Sequence, residues 1–135
     1  MPHVSKHKLS KTTEEELIKN MQYALAHITQ SEEMITFLDA LLTPTEKLML
    51  AKRIAVILLI KEGLSDLQIS NILHVTRITV AKMQLFYEAR GKGFDIALQK
   101  LKEQKRMESF KKLLFSLARY SVRAARGSVK PEILD

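Results

Sequence analysis

The residues whose types and spacing best suit specific chemistry lie between Ser65 and Lys82. This segment combines an arginine, a lysine, amides and several hydroxyl groups with regularly spaced aliphatic side chains. Arginine and lysine contact guanine edges and phosphates, hydroxyl and amide groups bind phosphate oxygens, and small apolar side chains pack on thymine methyl groups. The segment therefore predicts recognition of double-stranded DNA.

The spacing of the apolar residues predicts a helix-turn-helix over residues 65–87. Four aliphatic side chains are expected to pack its two helices together, namely Ile69, Leu73, Val75 and Val80. Ser70 is small enough to let the helix axes approach, and Thr76 is placed to cap the second helix. This geometry presents the first turn of the second helix to the major groove of DNA.

Eight residues are predicted to contact DNA: Ser65, Gln68, Thr76, Arg77, Ile78, Thr79, Ala81 and Lys82. Arg77 can make two hydrogen bonds to guanine, and Ile78 or Ala81 can pack on a thymine methyl group. Ser65 and Gln68 begin the first helix, where hydroxyl and amide donors meet the phosphate backbone. An ordinary helical hairpin with solvated basic residues is the alternative interpretation.

Helices are expected to position this segment, since the composition is poor in the turn residues of β-rich folds. The 135 residues include 4 glycines, 3 prolines and 6% aromatic side chains. A first amphipathic helix is predicted from a cap at Thr12 or Thr13 to about Thr29. A second, shorter helix is predicted from Ser31 through Leu42. The predicted fold class is all-α.

The third predicted helix is introduced by the sharpest local signal in the chain, Thr43-Pro44-Thr45-Glu46. Thr43 and Glu46 have the spacing of a capping box, and proline is tolerated in the first turn. The helix is expected to end at Gly63, because glycine readily adopts the left-handed conformation. Its apolar run, residues 54–60, makes it apolar on most faces, so it should form the centre of the fold.

The C-terminal third is predicted to form one long basic helix, residues 94–126, after a break at Arg90-Gly91-Lys92-Gly93. The net charge of +7 is concentrated between residues 99 and 130. The basic residues there are Lys100, Lys102, Lys105, Arg106, Lys111, Lys112, Arg119, Arg123, Arg126 and Lys130. Two interpretations of these basic residues stay open. They can form a surface that binds along the DNA phosphates, or a solvated face opposite an apolar one. Contact with an anionic membrane is the weakest alternative, because the core needs the apolar stripe.

A single domain is expected over residues 12–127, between a disordered basic arm at 1–11 and a tail at 128–135. The chain has no cysteine and its histidines are scattered, so neither a metal site nor another cofactor is predicted. It has no nucleophile with a paired base and no phosphate-binding glycine loop, so we expect no enzyme. The longest apolar run falls far short of the ~20 residues that span a bilayer, so we expect a cytoplasmic protein without membrane contact.

An ordered series of motifs resembles the tryptophan repressor superfamily: Leu42-Thr43-Pro44-Thr45-Glu46, Arg53, Gly63-Leu64-Ser65 and Ile78-Thr79-Val80-Ala81-Lys82. The resemblance covers about residues 38–90. It implies an all-helical fold and an intertwined homodimer, whose two helix-turn-helix units are set for successive major grooves. By the same resemblance, the helices at 13–42 and the C-terminal helix interlock with the partner subunit. The implied function is that of a repressor acting on a palindromic operator.

The resemblance also implies a ligand pocket between the third helix and the DNA-reading helix, at Thr43, Arg53, Lys82 and Met83. In the family the corepressor lies between two arginines, of which Arg53 matches the first and Lys82 replaces the second. Met83 stands where the pocket needs a glycine, so tryptophan is not expected to bind. Thr43 and Arg53 are then expected to serve in capping and ion pairing. His74 also departs from the pattern, because a histidine adopts a positive φ only at some cost.

Three other function classes remain open. A promoter-reading module like that of a sigma factor would share the pattern from Gly63 to Lys82 but would act as a single chain attached to polymerase. A small-molecule sensor would use a pocket reshaped around Arg53, Lys82 and Met83 for an effector that the sequence does not identify. A dimeric interaction protein that has lost DNA binding is the third class.

Overall fold

The computed structural model describes residues 8–125, with side-chain surroundings through residue 120. Over this range the chain is all-helical and has no strand, which confirms the predicted fold class. The helices are α1 (Lys11–His27), α2 (Ser31–Leu41), α3 (Pro44–Lys61), α4 (Asp66–Leu73), α5 (Arg77–Glu103) and α6 (Met107–Ala125). Residues 1–7 of the predicted arm, the last two residues of the predicted domain (126–127) and the whole predicted tail (128–135) lie outside the described residues. Lys11, which was expected in the arm, is instead the first residue of α1.

Two compact units make up the chain, with their boundary between Lys47 and Leu48. The predicted single domain over residues 12–127 therefore stays a prediction. In the first unit, α1 is capped by Ser10 rather than by Thr12 or Thr13, because Ser10 Oγ accepts a hydrogen bond from the Thr13 amide at 3.2 Å. No residue of α1 or α2 is buried in the single chain.

The capping box predicted before α3 is present. The Glu46 amide donates to Thr43 Oγ1 at 3.1 Å, and the Thr43 amide donates to Glu46 Oε1 at 2.9 Å. Hydrogen bonding of the Glu46 carboxylate with the Thr43 backbone amide, and after it with the Thr43 side chain, holds the pKa of this carboxyl below its usual range. Beyond the other end of α3, Gly63 has a φ of 87°, and the Leu64 amide donates to the Leu59 carbonyl at 3.1 Å. This is the glycine-terminated helix end that the sequence predicts.

The core of the second unit is built around the middle of α3. Five consecutive residues of this helix are buried: Ala55, Val56, Ile57, Leu58 and Leu59. Because successive residues of a helix point about 100° apart, a buried run of this length must be covered on all sides. Ile69 of α4, Val80 of α5 and Leu114 of α6 belong to the same buried cluster. Burial of each such side chain stabilises the fold by roughly 1.5–3 kcal/mol.

The break predicted at Arg90-Gly91-Lys92-Gly93 is present as a kink, because Arg90 has non-helical angles (φ −140°, ψ 29°) between the two helical segments that make up α5. The helix predicted to follow, residues 94–126, is wrong in its continuity. It is interrupted at residues 104–106, where Lys105 has a φ of 58° and the Arg106 amide donates to the Leu101 carbonyl at 2.9 Å. The second segment of α5 and α6 therefore take the place of one long helix.

A polar cluster joins the end of α3 to the second half of α5. Lys61 Nζ lies 2.8 Å from Asp95 Oδ1, and the Tyr87 hydroxyl donates to the same oxygen at 2.8 Å. The Lys61 ammonium, and after it the Tyr87 hydroxyl, lowers the pKa of the Asp95 carboxyl from its ordinary value of 3.8. The Asp95 carboxylate in turn raises the pKa of Lys61.

We expect the substitution Asp95→Asn to remove a pH-dependent part of the stability. Because folding lowers the pKa of Asp95, the stabilisation is present above the ordinary pKa and is lost as the pH falls through the folded-state pKa. The free energy of unfolding of the wild type should therefore decrease as the pH drops below about 4, and the variant should lose this part of the decrease.

Urea denaturation at a series of pH values measures this effect. The substitution Tyr87→Phe removes one of the two hydrogen bonds to the carboxylate and should give an intermediate slope of stability against pH. If Asp95→Asn and the wild type have the same slope below the ordinary pKa, the assignment to this cluster is wrong.

Candidate nucleic-acid interface

α4, the turn after it and the start of α5 have the arrangement of a helix-turn-helix with both helix starts capped. The Gln68 amide donates to Ser65 Oγ at 3.2 Å, and the Ser65 amide donates to Gln68 Oε1 at 2.9 Å. Thr76 Oγ1 accepts a hydrogen bond from the Thr79 amide at 3.0 Å. The predicted capping role of Thr76 is confirmed, and Ser65 caps α4. Since Oε1 of Gln68 serves the cap, a phosphate contact by this side chain would use Nε2.

The turn between the two helices is held by bonds at both of its ends. His74 adopts the left-handed conformation with a φ of 53° and a ψ of 50°, as its position in the motif predicts. The Val75 amide donates to the Ser70 carbonyl at 3.3 Å, and the Ser70 hydroxyl donates to the Val75 carbonyl. Ser70 therefore closes the turn as well as allowing the helices to approach. The four predicted packing residues are buried or half-buried: Ile69, Leu73, Val80 and Val75.

The first turns of α5 present an exposed surface that we call the reading face: Arg77, Ile78, Thr79, Ala81 and Lys82. Ile78 is 69% exposed, whereas Val80 and Met83 are 1% and 3% exposed and belong to the core. Thr79 Oγ1 lies 2.9 Å from Thr76 Oγ1, which orients this hydroxyl toward the cap. The reading face thus offers an apolar side chain together with two cations, a combination that can contact thymine methyls, guanine edges and phosphates.

An ion pair within the motif, between Arg77 and Asp66, was not predicted from the sequence. Arg77 Nη2 lies 3.3 Å from Asp66 Oδ1 and 3.4 Å from Oδ2. The two side chains are 60% and 44% exposed, and surface pairs of this kind contribute at most about 1 kcal/mol. Arg77 can therefore exchange the carboxylate for a base edge at small cost. Little in the sequence indicates this ion pair, because an acidic residue such as Asp66 is common in the first turn of a helix.

The four residues of the ligand pocket implied by resemblance have different surroundings. Met83 is buried in the core cluster, Arg53 is half-buried, and Lys82 is exposed on the reading face. Thr43 belongs to the first compact unit, where it caps α3. The role of these residues in binding a ligand stays a prediction.

The basic residues of the C-terminal third are distributed over α5, α6 and the break between them. Lys100 Nζ lies 3.3 Å from Glu103 Oε2, and Lys111 Nζ lies 2.7 Å from Oε1 of Glu62, the residue after α3. Arg126, Lys130 and the side chain of Arg123 lie outside the part of the chain that is described. Within that part, no helix is long and apolar enough to cross a membrane. The described His, Asp and Glu side chains form no group of three or more that could hold a metal ion.

Comparison with known proteins identifies a family. A family model described as Trp repressor protein matches residues 16–102, which is more than half of the chain. No curated protein and no solved structure matches the chain significantly. The matched range includes the helix-turn-helix and most of α5, and it ends before α6. It supports a DNA-binding transcriptional regulator rather than an enzyme. The chain belongs to the Trp repressor protein family.

Proposed function

We propose that this protein is a sequence-specific repressor that binds a palindromic operator as a homodimer in the bacterial cytoplasm, and that tryptophan does not control it. The observation that carries the proposal is the reading face at the start of α5. Its Arg77, Ile78 and Lys82 are exposed, while Val80 between them is buried and fixes the rotation of the helix.

The capped geometry supports direct contact between this face and base edges. A helix whose N-terminus is fixed by Thr76 and whose inner side is packed in the core has little freedom to rotate or slide. Arg77 is therefore held where it can donate two hydrogen bonds to guanine. Such a contact would favour guanine over the other bases by about 1–3 kcal/mol. Lys82, one turn further along, is suited to a phosphate or a second base.

The exposed apolar residues of the first compact unit support a dimer. Six large apolar side chains of α1 and α2 are 45–65% exposed in the single chain: Leu17, Ile18, Met21, Tyr23, Ile35 and Leu41. Apolar side chains that recur along two whole helices without burial indicate a surface that another chain covers. An interlocked dimer through these helices would bury them.

Met83 supports the proposal that tryptophan is not the effector. By family resemblance, this position needs a glycine for the corepressor to approach the backbone. Here the methionine side chain is 3% exposed and packed in the core, so a ligand would have to displace it. Lys82 also lacks the planar guanidinium that stacks on an aromatic ring.

Selection of bound sequences from a random DNA duplex pool, at low and moderate salt, tests the function. We expect an enriched palindrome whose half-sites lie about one helical turn apart, because a two-fold dimer places its reading helices at that spacing. Salt-sensitive binding without an enriched sequence would contradict sequence-specific repression. Light scattering of the same preparation distinguishes a dimeric repressor from a sigma-factor-like module, because the mass of a single chain would favour the module.

We expect Arg77→Ala to relax the preference at one base pair of each half-site and to leave the fold intact. The predicted loss is about 1–3 kcal/mol of discrimination against the wrong base, measured as the ratio of dissociation constants for matched and mismatched operators.

Asp66→Asn should increase the affinity for DNA. It removes the carboxylate that competes for Arg77 and that repels DNA phosphates, so the dissociation constant should decrease.

Arg106→Ala is the matched control, because it removes an exposed arginine outside the reading face. It should weaken binding to all sequences equally, if it has any effect. Unchanged discrimination in Arg77→Ala, with an equal melting temperature, would show that another helix reads the bases.

A further inference from the structure

An apolar groove of about 560 Å³ lies among α3, α4 and α6, and all of its lining residues belong to the second compact unit. We call it the α6 groove. Its lining residues are Leu48, Ala51, Lys52 and Ala55 of α3, residues 71–74 in and just after α4, and Phe110, Leu113, Leu114, Leu117 and Tyr120 of α6. Pockets for small molecules have volumes of about 300–1,000 Å³ and are mainly apolar with a few polar groups. The α6 groove has these properties.

The groove is separate from the pocket implied by family resemblance. None of Thr43, Arg53, Lys82 and Met83 is among its lining residues. One of its walls is α6, which lies beyond the range matched by the family model. The groove therefore lies partly outside the segment that the family model covers.

The charges of the lining residues indicate which polar group a ligand of the groove would carry. The residues that line the α6 groove include no aspartate or glutamate, whereas they include Lys52 and His74. The Lys52 ammonium lies 3.5 Å from the His74 carbonyl oxygen, a long hydrogen bond. A lysine ammonium has three donors, so it can also bind an anionic oxygen, and such charge-assisted bonds are stronger than bonds to a carbonyl.

We propose that the α6 groove binds an amphiphilic monocarboxylate, a molecule with an apolar chain or ring and one carboxylate group. The apolar part lies between the leucines of α6 and the alanines of α3, and the carboxylate pairs with Lys52. Because Lys52 also contacts the carbonyl of His74, the bound carboxylate sits beside the turn of the helix-turn-helix. The binding itself does not depend on the proposed repressor function and can be measured without DNA.

Octanoate is a suitable probe, with octanol and octylammonium as probes of equal chain length and different head groups. The full-length protein with ¹³C-labelled leucine and isoleucine methyl groups is titrated with each probe below its micellar concentration. We expect octanoate to shift the methyl signals of Ile72, Leu113 and Leu117 saturably. It should bind about tenfold more tightly than octylammonium, because only the carboxylate gains a charge-assisted bond to Lys52.

Two variants and one control test the assignment of the groove. Lys52→Gln should weaken octanoate binding about tenfold and leave octanol binding unchanged, since it removes only the charged partner. Ala51→Leu should weaken both probes, because the larger side chain occupies the groove. Lys112→Gln removes an exposed lysine of α6 that does not line the groove, and it should leave both affinities unchanged.

Several results would overturn the proposal. Equal affinity for all three head groups would eliminate recognition of a carboxylate, and saturable shifts confined to other methyl groups would place the site elsewhere. Absence of saturable octanoate binding would eliminate the site. If octanoate halves the mass measured by light scattering while shifting the groove methyls, the groove is covered by a second copy of the chain and is not a ligand site.

Discussion

Enclosing the middle of α3 is the constraint on which the rest of the second unit depends. The buried run from Ala55 to Leu59 faces every direction around the helix axis, so one packed neighbour cannot cover it. α4, α5 and α6 each contribute buried side chains to the same cluster. α5 contributes Val80, Met83 and Leu98, and the burial of the first two determines which side of the first turns of α5 faces outward. The exposure of Arg77, Ile78 and Lys82 is thus a consequence of how the core is closed.

The parts of the fold that were predictable from the sequence are those governed by local interactions. The capping boxes at Thr43 and Ser65, the cap at Thr76 and the glycine after α3 each depend on residues three to five positions apart. Such bonds are almost independent of the rest of the chain, so their residue types identify them. The packing residues of the helix-turn-helix were also predictable, since Ile69, Leu73, Val75 and Val80 have the short spacing that this motif requires. The left-handed conformation of His74 followed from the position of the turn.

The features that the sequence did not reveal depend on contacts between distant segments. The break predicted from Gly91 and Gly93 is present as the kink at Arg90, but the second break, at residues 104–106, was not predicted. It contains no glycine, and Lys105 itself adopts the left-handed conformation with a φ of 58°. The pairing of Asp66 with Arg77 across eleven residues follows no periodic rule. The same holds for the approach of Lys52 to the His74 carbonyl, which only the folded turn creates.

The position of α6 has a consequence for how this protein can be recombined with its relatives. α6 follows the matched range, yet it packs against α4, and its Leu114 and Ser116 are 2% and 5% exposed. A chimera joined at the end of the shared range would keep every residue of the helix-turn-helix and still remove the cover from Ile72 and Leu73. The packing of α4 therefore depends on α6 as well as on α5. The compact unit that contains the helix-turn-helix thus extends beyond the segment that the family model covers.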